Sequence, residues 1–434
     1  MSTWFPRACL SWLPLSLYAL ALDAGAATRC GEDTLPTRED LVLRCATELG
    51  VYDNTDLDQR EALQSALHAA ADTGAHLYLP PGNYNVSGDL HLPPGTGLIG
   101  SRNSFTRITG IGTETTVLRP SDNEVEGAPY HVEDLQLSNA RIVLDSVRPA
   151  KIQFNVLSGT RSPAPQIEIS RGHHHVNGNV LQRDIDGVGE GILVDATARS
   201  TSALGRAVKV SMMRNLIGAI PQGTPTKSKK RTMQLFVGQL RPLKPEFIPR
   251  LAGQYRTAIR TIGNVNATLV GNTVAIASSS NGGSTPRMAD FEHGARLKLK
   301  GNRFIALGEG TGNRLTVSLR APARATLDGN TLDGVDLRFS PSESSPGANA
   351  KNSLVSANEF LRSALHVEVS VNGAGDDHSS PADIKLLQNV FKGKRVNAPH
   401  PECDIVTRAS QAGPDGFQIG GNLRGDLEAI LCER

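Results

Sequence analysis

The sequence predicts an all-β chain folded as a right-handed parallel β-helix, a solenoid, with an α-helical cap at its N-terminal end. Two observations carry this prediction. An asparagine recurs nine times with fixed apolar neighbours, and the periodicity changes from helix-like to strand-like near residue 75. Composition agrees, because aromatic residues make up only 4% and a narrow solenoid interior does not need large rings.

The asparagine repeat predicts a strand, a tight corner and a second strand in each unit. The nine are Asn155, Asn179, Asn215, Asn272, Asn302, Asn330, Asn358, Asn389 and Asn422. An apolar residue stands three positions before each, and another stands two positions after each except the last, where Arg424 breaks the rule. Asparagine tolerates the left-handed backbone region and can form amide ladders, so stacked corners are expected.

The intervals between these asparagines are 24, 36, 57, 30, 28, 28, 31 and 33 residues. Such intervals are too long for hairpins and are typical of stacked arrays, in which each unit buries its apolar face against its neighbours. The alternative is a coincidence of Gly-Asn turns in another all-β fold, which would not explain the constant apolar neighbours.

Residues 1–26 resemble an export signal. Arg7 is the only charge before an apolar run from Leu13 to Leu22, and Ala24-Gly25-Ala26 offers small residues for cleavage. A membrane anchor is the alternative, but a run of about ten residues is too short to span a bilayer. The expected location is periplasmic or extracellular.

Four cysteines remain after removal of the signal: Cys30, Cys45, Cys403 and Cys432. Of three possible pairings we choose the local one, Cys30 with Cys45 and Cys403 with Cys432, because solenoid ends expose strand edges that need protection. Metal binding by these cysteines is the weaker interpretation, because no CxxC spacing occurs.

The predicted helical cap covers residues 27–75. A capping box at Thr37 to Asp40 would open a helix that closes near Gly50, and a second helix would cover residues 57–72. Leu63, Ala66, Leu67 and Ala70 share one face of the second helix. Short strands cut by Pro-Gly turns follow, so residues 76–434 form the β-helix and the helix covers its open end.

This region resembles the N-terminal signature of pectate-lyase-like β-helix proteins. The similar runs are Asp56 to Gln64, Leu77 to Val86 and Gly97 to Gly100. The superfamily includes polygalacturonases, rhamnogalacturonases, exo-glucanases and phage tailspikes, so the resemblance implies a β-helix that works on polysaccharide. The catalytic motifs of polygalacturonases and mannuronan epimerases are absent or displaced, and no catalytic residue is carried over.

Candidate site residues lie where the asparagine intervals are longest. The stretch 221–256 is predicted to be a long inserted loop that binds an anionic polymer, with arginine and lysine side chains pairing with uronate or sulfate. Its predicted substrate-binding residues are Lys227, Lys229, Lys230, Arg231 and Arg256, and Tyr255 is a predicted catalytic residue. The alternative is a solvated basic loop without a catalytic role.

A second candidate cluster precedes that loop and comprises His173, His175, Asp184, Asp186 and Glu190. Only His173 and His175 of the three consecutive histidines can share one face of a strand. The cluster would supply acid and base groups, either for lyase-type proton transfer with His175 or for glycoside hydrolysis by two carboxylates. A metal site and a polar surface corner are the alternatives. We predict no metal and no cofactor.

Three functions remain open from the sequence. The preferred one is an exported lyase or epimerase acting on an acidic, uronate-containing polysaccharide, and the others are a glycoside hydrolase and a non-catalytic glycan-binding or structural β-helix. The expected partner is an anionic polysaccharide. A net charge of +2 indicates no other partner, nucleic acid does not fit an exported protein, and homotrimer formation is left open.

Overall fold

The computed structural model describes residues 30, 40–53, 56–102, 105–111, 116–121, 128–159, 163–183, 189–197, 207–218, 255–277, 287–292, 294–307, 315–341, 350–369, 383–393, 403–409, 417–424 and 427–433. The predicted export signal lies outside these ranges. Of the predicted loop 221–256, only Tyr255 and Arg256 are described.

The chain is a right-handed parallel β-helix, which confirms the predicted fold class. Three long sheets run along it, and each coil contributes a strand to the first, then the second, then the third sheet. All neighbouring strands pair in parallel except Leu423–Arg424 with Leu427–Glu428, which are antiparallel.

The first sheet contains the strands Leu43–Cys45, His76–Tyr78, Gly97–Ile99, Tyr130–Glu133, Ala150–Gln153, His173–Asn177, Val208–Met213, Val265–Val270, Arg296–Lys300, Arg324–Asp328, Ser353–Ser356, Ile384–Leu387 and Phe417–Gly420. The second sheet contains Gly82–Val86, Thr106–Gly110, Gln136–Ser138, Val156–Ser158, Val180–Leu181, Leu216–Gly218, Thr273–Ala277, Arg303–Leu307, Thr331–Asp333, Glu359–Leu361, Val390–Lys392, Leu423–Arg424 and Leu427–Glu428. The third sheet contains Leu90–Leu92, Thr116–Pro120, Ala140–Leu144, Ile167–Ile169, Gly189–Asp195, Tyr255–Ile262, Arg287–Phe291, Leu315–Arg320, Val335–Ser340, Leu365–Val369, Ile405–Ala409 and Leu431–Glu433.

The asparagine ladder is confirmed at the corner between the first and second sheets, from Asn155 to Asn422. Each of the nine side chains is buried, and in every adjacent pair the amide nitrogen of one donates to the amide oxygen of the next at 2.8 to 3.1 Å. Every interval, including the one of 57 residues, is therefore a single coil.

The backbone conformation of this corner differs from the prediction. None of the nine asparagines has a positive φ; the residue before each one does, for example Gly301 at φ 61° and Arg214 at φ 54°. That residue makes the turn, and the asparagine directs its amide along the stack. Glycine precedes five of the nine because it adopts this conformation without steric cost.

The flanking apolar positions form two continuous columns. The residues three before each asparagine are register partners from Ile152 to Ile419, and those two after it are partners from Leu157 to Arg424. In the second column the rings of Phe360 and Phe391 stack with centroids 4.7 Å apart. The main hydrophobic core is one continuous cluster that runs from Ala46 to Ile405.

The N-terminal region contains one of the two predicted α-helices. The helix Arg60–Ala71 buries the predicted face, formed by Leu63, Ala66, Leu67 and Ala70, against the core. The predicted helix ending near Gly50 is wrong over the described residues 40–50, because Leu43–Cys45 is the first strand of the first sheet and only a short 3-10 turn, Ala46–Leu49, follows it. Pairing with His76–Tyr78 outweighs the local helical preference.

Both predicted disulfides are confirmed. Cys30 is bonded to Cys45 beside the first strand, and Cys403 is bonded to Cys432 near the last coil. Each bond fixes one end of the solenoid.

Candidate functional site

The two predicted histidines lie on the outer face of the first sheet. His173 and His175 point to the same side of their strand, with ring centroids 5.0 Å apart, as the alternation of the strand requires. Burial and the nearby charges of His173 and Lys151 lower the pKa of His175. His174 points into the core and is fully buried, and its burial lowers its pKa to about 4.

Glu190 lies instead on the outer face of the third sheet. Its Oε1 accepts a hydrogen bond from Nη1 of Arg260 on the next coil at 3.0 Å. The structure therefore does not bring Glu190 together with His173 and His175, because they project from different sheets. The predicted partners Asp184 and Asp186 lie outside the described residues, as do Lys227, Lys229, Lys230 and Arg231.

Tyr255 does not fit its predicted catalytic role. It is only 2% exposed, and its hydroxyl donates to Oε1 of Gln166 at 2.8 Å inside the coil. Burial raises its pKa, so the phenolate needed for a base is disfavoured. Tyr255 is the first residue of a third-sheet strand, and Arg256 next to it is exposed.

The outer face of the third sheet carries a continuous ion-pair network that sequence reasoning did not assemble. Arg260 bridges Glu190 and Glu292, with its Nη2 2.7 Å from Glu292 Oε1. Arg320 pairs with both carboxylate oxygens of Asp290, at 3.0 and 2.7 Å, and with Glu292 at 2.8 Å. These groups come from four successive strands of the third sheet, beginning with Gly189–Asp195. Asp290 lies on the strand Arg287–Phe291, and Glu292 follows directly after it.

Further along the same face, an aspartate and a histidine lie beside an arginine. The buried Asp336 accepts a hydrogen bond from the backbone N–H of Ala364 at 2.9 Å, and its other oxygen is 3.3 Å from Nε2 of His366. Arg338 is the register partner of His366, is exposed, and forms no ion pair with any described residue. Ser318 precedes Arg338 in the same row.

This arrangement combines a proton-transferring group with a positive charge. The carboxylate of Asp336 can fix the ring orientation of His366, which is 19% exposed and can reach a substrate. Cβ atoms of directly paired residues lie about 5 Å apart, so Arg338 and His366 can contact neighbouring groups of one ligand. Sequence could have indicated this pair, because Arg338 and His366 are separated by 28 residues, the same interval as Asn330 and Asn358.

The third sheet is also the sheet next to the long connections. The longest ones either enter it from the second sheet, as between Gly218 and Tyr255, or leave it toward the first, as between Val369 and Ile384. The corner between the first and second sheets is short throughout. Long connections on a rigid scaffold commonly carry binding and catalytic groups, so the third sheet is the favoured face.

The described part of the chain holds no group of three or more His, Cys, Asp or Glu side chains arranged for a metal ion. Within those same residues, no helix is long and apolar enough to cross a membrane.

Comparison with known proteins agrees with the fold. Residues 43–196 match the family described as Rhamnogalacturonase A/epimerase, pectate lyase-like. The surface protein and adhesin PfbA of Streptococcus pneumoniae has a similar structure, with 14% identity, a TM-score of 0.51, and coverage of 91% of this chain and 100% of that chain. Residues 43–196 are therefore similar to a pectate-lyase-like family, and the likeness to PfbA supports the parallel β-helix fold over most of the chain.

Two further structures resemble this β-helix more distantly. The A-module of a mannuronan C-5 epimerase from Azotobacter vinelandii has 14% identity and a TM-score of 0.41, covering 90% of this chain and 97% of that chain. A tailspike protein of an E. coli bacteriophage, in complex with a pentasaccharide, has 9% identity and a TM-score of 0.45, and the match covers 87% of this chain and 66% of that chain. No curated protein matches the sequence.

Proposed function

We propose that this β-helix is an exported enzyme of lyase or epimerase type that acts on an acidic polysaccharide at the outer face of the third sheet. The observation that carries the proposal is the placement of His366 opposite Arg338 on the neighbouring strand, with its Nε2 3.3 Å from the carboxylate of Asp336. The two disulfides are compatible with an oxidising, extracellular compartment.

In this proposal His366 removes the proton next to the uronate carboxylate. Arg338 pairs with that carboxylate and stabilises the negative charge that develops on it. In a lyase, the bond between the adjacent ring carbon and the linking oxygen then breaks, the oxygen leaves with the neighbouring sugar and takes up a proton from solvent, and an unsaturated uronate remains. In an epimerase, the same carbon instead receives a proton from solvent on the opposite face of the ring. Arg256, together with the basic residues Lys227 to Arg231 that precede it in sequence, is proposed to bind further uronates.

A glycoside hydrolase remains the second candidate, because carboxylates cluster on the same face. Among the described acids, however, Glu190, Asp290 and Glu292 are each paired with Arg260 or Arg320. These ion pairs occupy carboxylate oxygens that a hydrolase would direct at the glycosidic bond. A non-catalytic glycan-binding protein is the third candidate.

One experiment separates the three. Purified mature protein is incubated with a panel of acidic and neutral polysaccharides, and ultraviolet absorbance, reducing ends and proton exchange from D₂O are measured. A lyase produces absorbance, an epimerase shows exchange without new ends, a hydrolase releases reducing ends without absorbance, and a binder does none of these.

His366→Gln should lower the rate by about 10²-fold or more, the usual contribution of a general acid or base. His68→Gln, on the exposed side of the N-terminal helix, is the matched control and should leave the rate unchanged. Full activity of the His366 variant would contradict the proposed role.

A further inference from the structure

A basic strip covers the outer face of the first sheet, on eight successive strands from Ala150–Gln153 to Ile384–Leu387. Each of its side chains lies on the outward-facing side of its strand, and the strands come from coils that are far apart in sequence. They are Lys151, His173, His175, Lys209, Arg296, Lys298, Lys300, Arg324 and Lys385.

The register places all of these residues except Lys300 in two rows parallel to the solenoid axis, and Lys300 lies in a third row beside Asp328. In one row His173 pairs with Lys209, then Asn266, Arg296 and Arg324 follow on the next three strands. The other row runs from Lys151 and His175 through Ser211, Thr268 and Lys298 to Thr326, Leu354 and Lys385. Hydroxyl and amide side chains, together with Leu354, therefore lie among the cations of these rows.

The strip is not neutralised by the protein itself. The eight strands contain a single acid, Asp328, which lies 3.7 Å from Lys300. The other six lysines and arginines form no ion pair with a described residue, and all of them except the half-buried Lys151 are exposed. Like charges in register, such as Arg296 and Arg324, destabilise a sheet, so the fold gains nothing from this arrangement.

We propose that the basic strip binds a linear anionic polysaccharide that lies along the solenoid axis, as a second polymer-binding surface separate from the third-sheet site. The strip is two rows wide and, at about 4.8 Å per strand, about 34 Å long. A single extended polysaccharide chain matches this long, narrow shape, whereas a flat membrane surface would be contacted only along a narrow line. The interleaved Asn266, Ser211 and Thr268 can hydrogen-bond sugar hydroxyls while the cations pair with carboxylate or sulfate.

The test uses the full chain carrying His366→Gln, so that turnover does not consume the ligand, and measures binding of polygalacturonate at two salt concentrations. The strip variant is Arg296→Ser, Lys298→Ser and Arg324→Ser together. Its matched control removes three cations at or beside the second sheet, Arg303→Ser, Arg362→Ser and Lys392→Ser, and so changes the net charge equally.

The strip variant is expected to weaken binding at least tenfold and to reduce its salt dependence, while the control changes binding less than twofold. Arg296→Lys with Arg324→Lys should retain binding, which shows that charge rather than misfolding is responsible. An equal loss in both triple variants would overturn the proposal, because net charge alone would then explain binding.

Two other outcomes would also overturn it. One is loss of all polymer binding in Arg338→Gln with the strip intact, which would place the polymer only on the third sheet. The other is binding to anionic phospholipid vesicles without binding to polygalacturonate. Inactivity of the protein toward every polysaccharide would reject the proposed function and leave the strip measurement valid.

Discussion

Replacement of one central asparagine of the ladder should destabilise the whole protein. The side chain of Asn302 makes four buried hydrogen bonds, each 2.9 Å long. Its amide nitrogen donates to the carbonyl of Leu269 and to Asn330 Oδ1, and its oxygen accepts from the backbone and side-chain nitrogens of Asn272. At about 1 kcal/mol of net stability for each bond, Asn302→Ala should cost about 4 kcal/mol.

The free energy of unfolding is measured by guanidinium denaturation, with hydrogen exchange reporting protection of the neighbouring coils. The matched control is Asn264→Ala, at an exposed turn, which should change the free energy by no more than about 0.5 kcal/mol. Asn422→Ala, at the end of the ladder, should cost less than Asn302→Ala, because Asn422 has no following rung. A loss below about 1 kcal/mol for Asn302→Ala would refute the reasoning that the ladder stabilises the stack.

Three further predictions concern buried groups. The pKa of His174 is lowered from 6.5 to about 4 in the folded state, so its contribution of about 3 kcal/mol to the free energy of unfolding is complete above pH 6.5 and is lost as pH falls toward 4. His174→Gln should therefore reduce the difference between the free energies of unfolding measured at pH 7 and pH 4.5. An equal pH dependence in the variant and the parent protein would contradict this prediction. Tyr255→Phe removes the bond to Gln166 and should lower stability by about 1 kcal/mol without changing turnover; a large fall in turnover at unchanged substrate binding would restore the catalytic assignment. Cys403→Ser with Cys432→Ser removes a disulfide between residues 29 apart and should lower the free energy of unfolding by about 3 to 4 kcal/mol. An unchanged denaturation midpoint would show that the end coil is stable without this disulfide.

Sequence identified the fold because its determinants are local. Apolar residues at fixed offsets from each asparagine, and the buried face of the helix Arg60–Ala71, are readable in short windows. The early strand Leu43–Cys45 was missed because it is held by pairing with His76–Tyr78, some thirty residues away, and its own residues do not favour a strand strongly. The left-handed backbone conformation was expected at each ladder asparagine but is adopted by the residue before it. The reason is similar, since the bond from the asparagine amide to the next coil fixes the backbone at this corner.

The site was harder to predict because its residues meet across coils of unequal length. Arg338 and His366 follow the regular interval, but Arg260 and Asp290 can be aligned only after the connections of irregular length are known. His175 and Glu190 are close in sequence and yet lie on different sheets, because the second-sheet strand Val180–Leu181 lies between them. Burial of Tyr255 likewise depends on its pairing with Gly189, which no local pattern reveals.

The asparagine ladder also determines where this protein can accept new sequence. Coils of 24 and of 57 residues stack with the same amide spacing, so the length of the connections bordering the third sheet is free to vary while the register is kept. An insertion grafted at those borders would change the surface beside the third sheet and leave the stack intact. Removing a coil would succeed only if the cut runs from one asparagine to the next, which makes the ladder a natural unit of measurement for shortening or lengthening the scaffold.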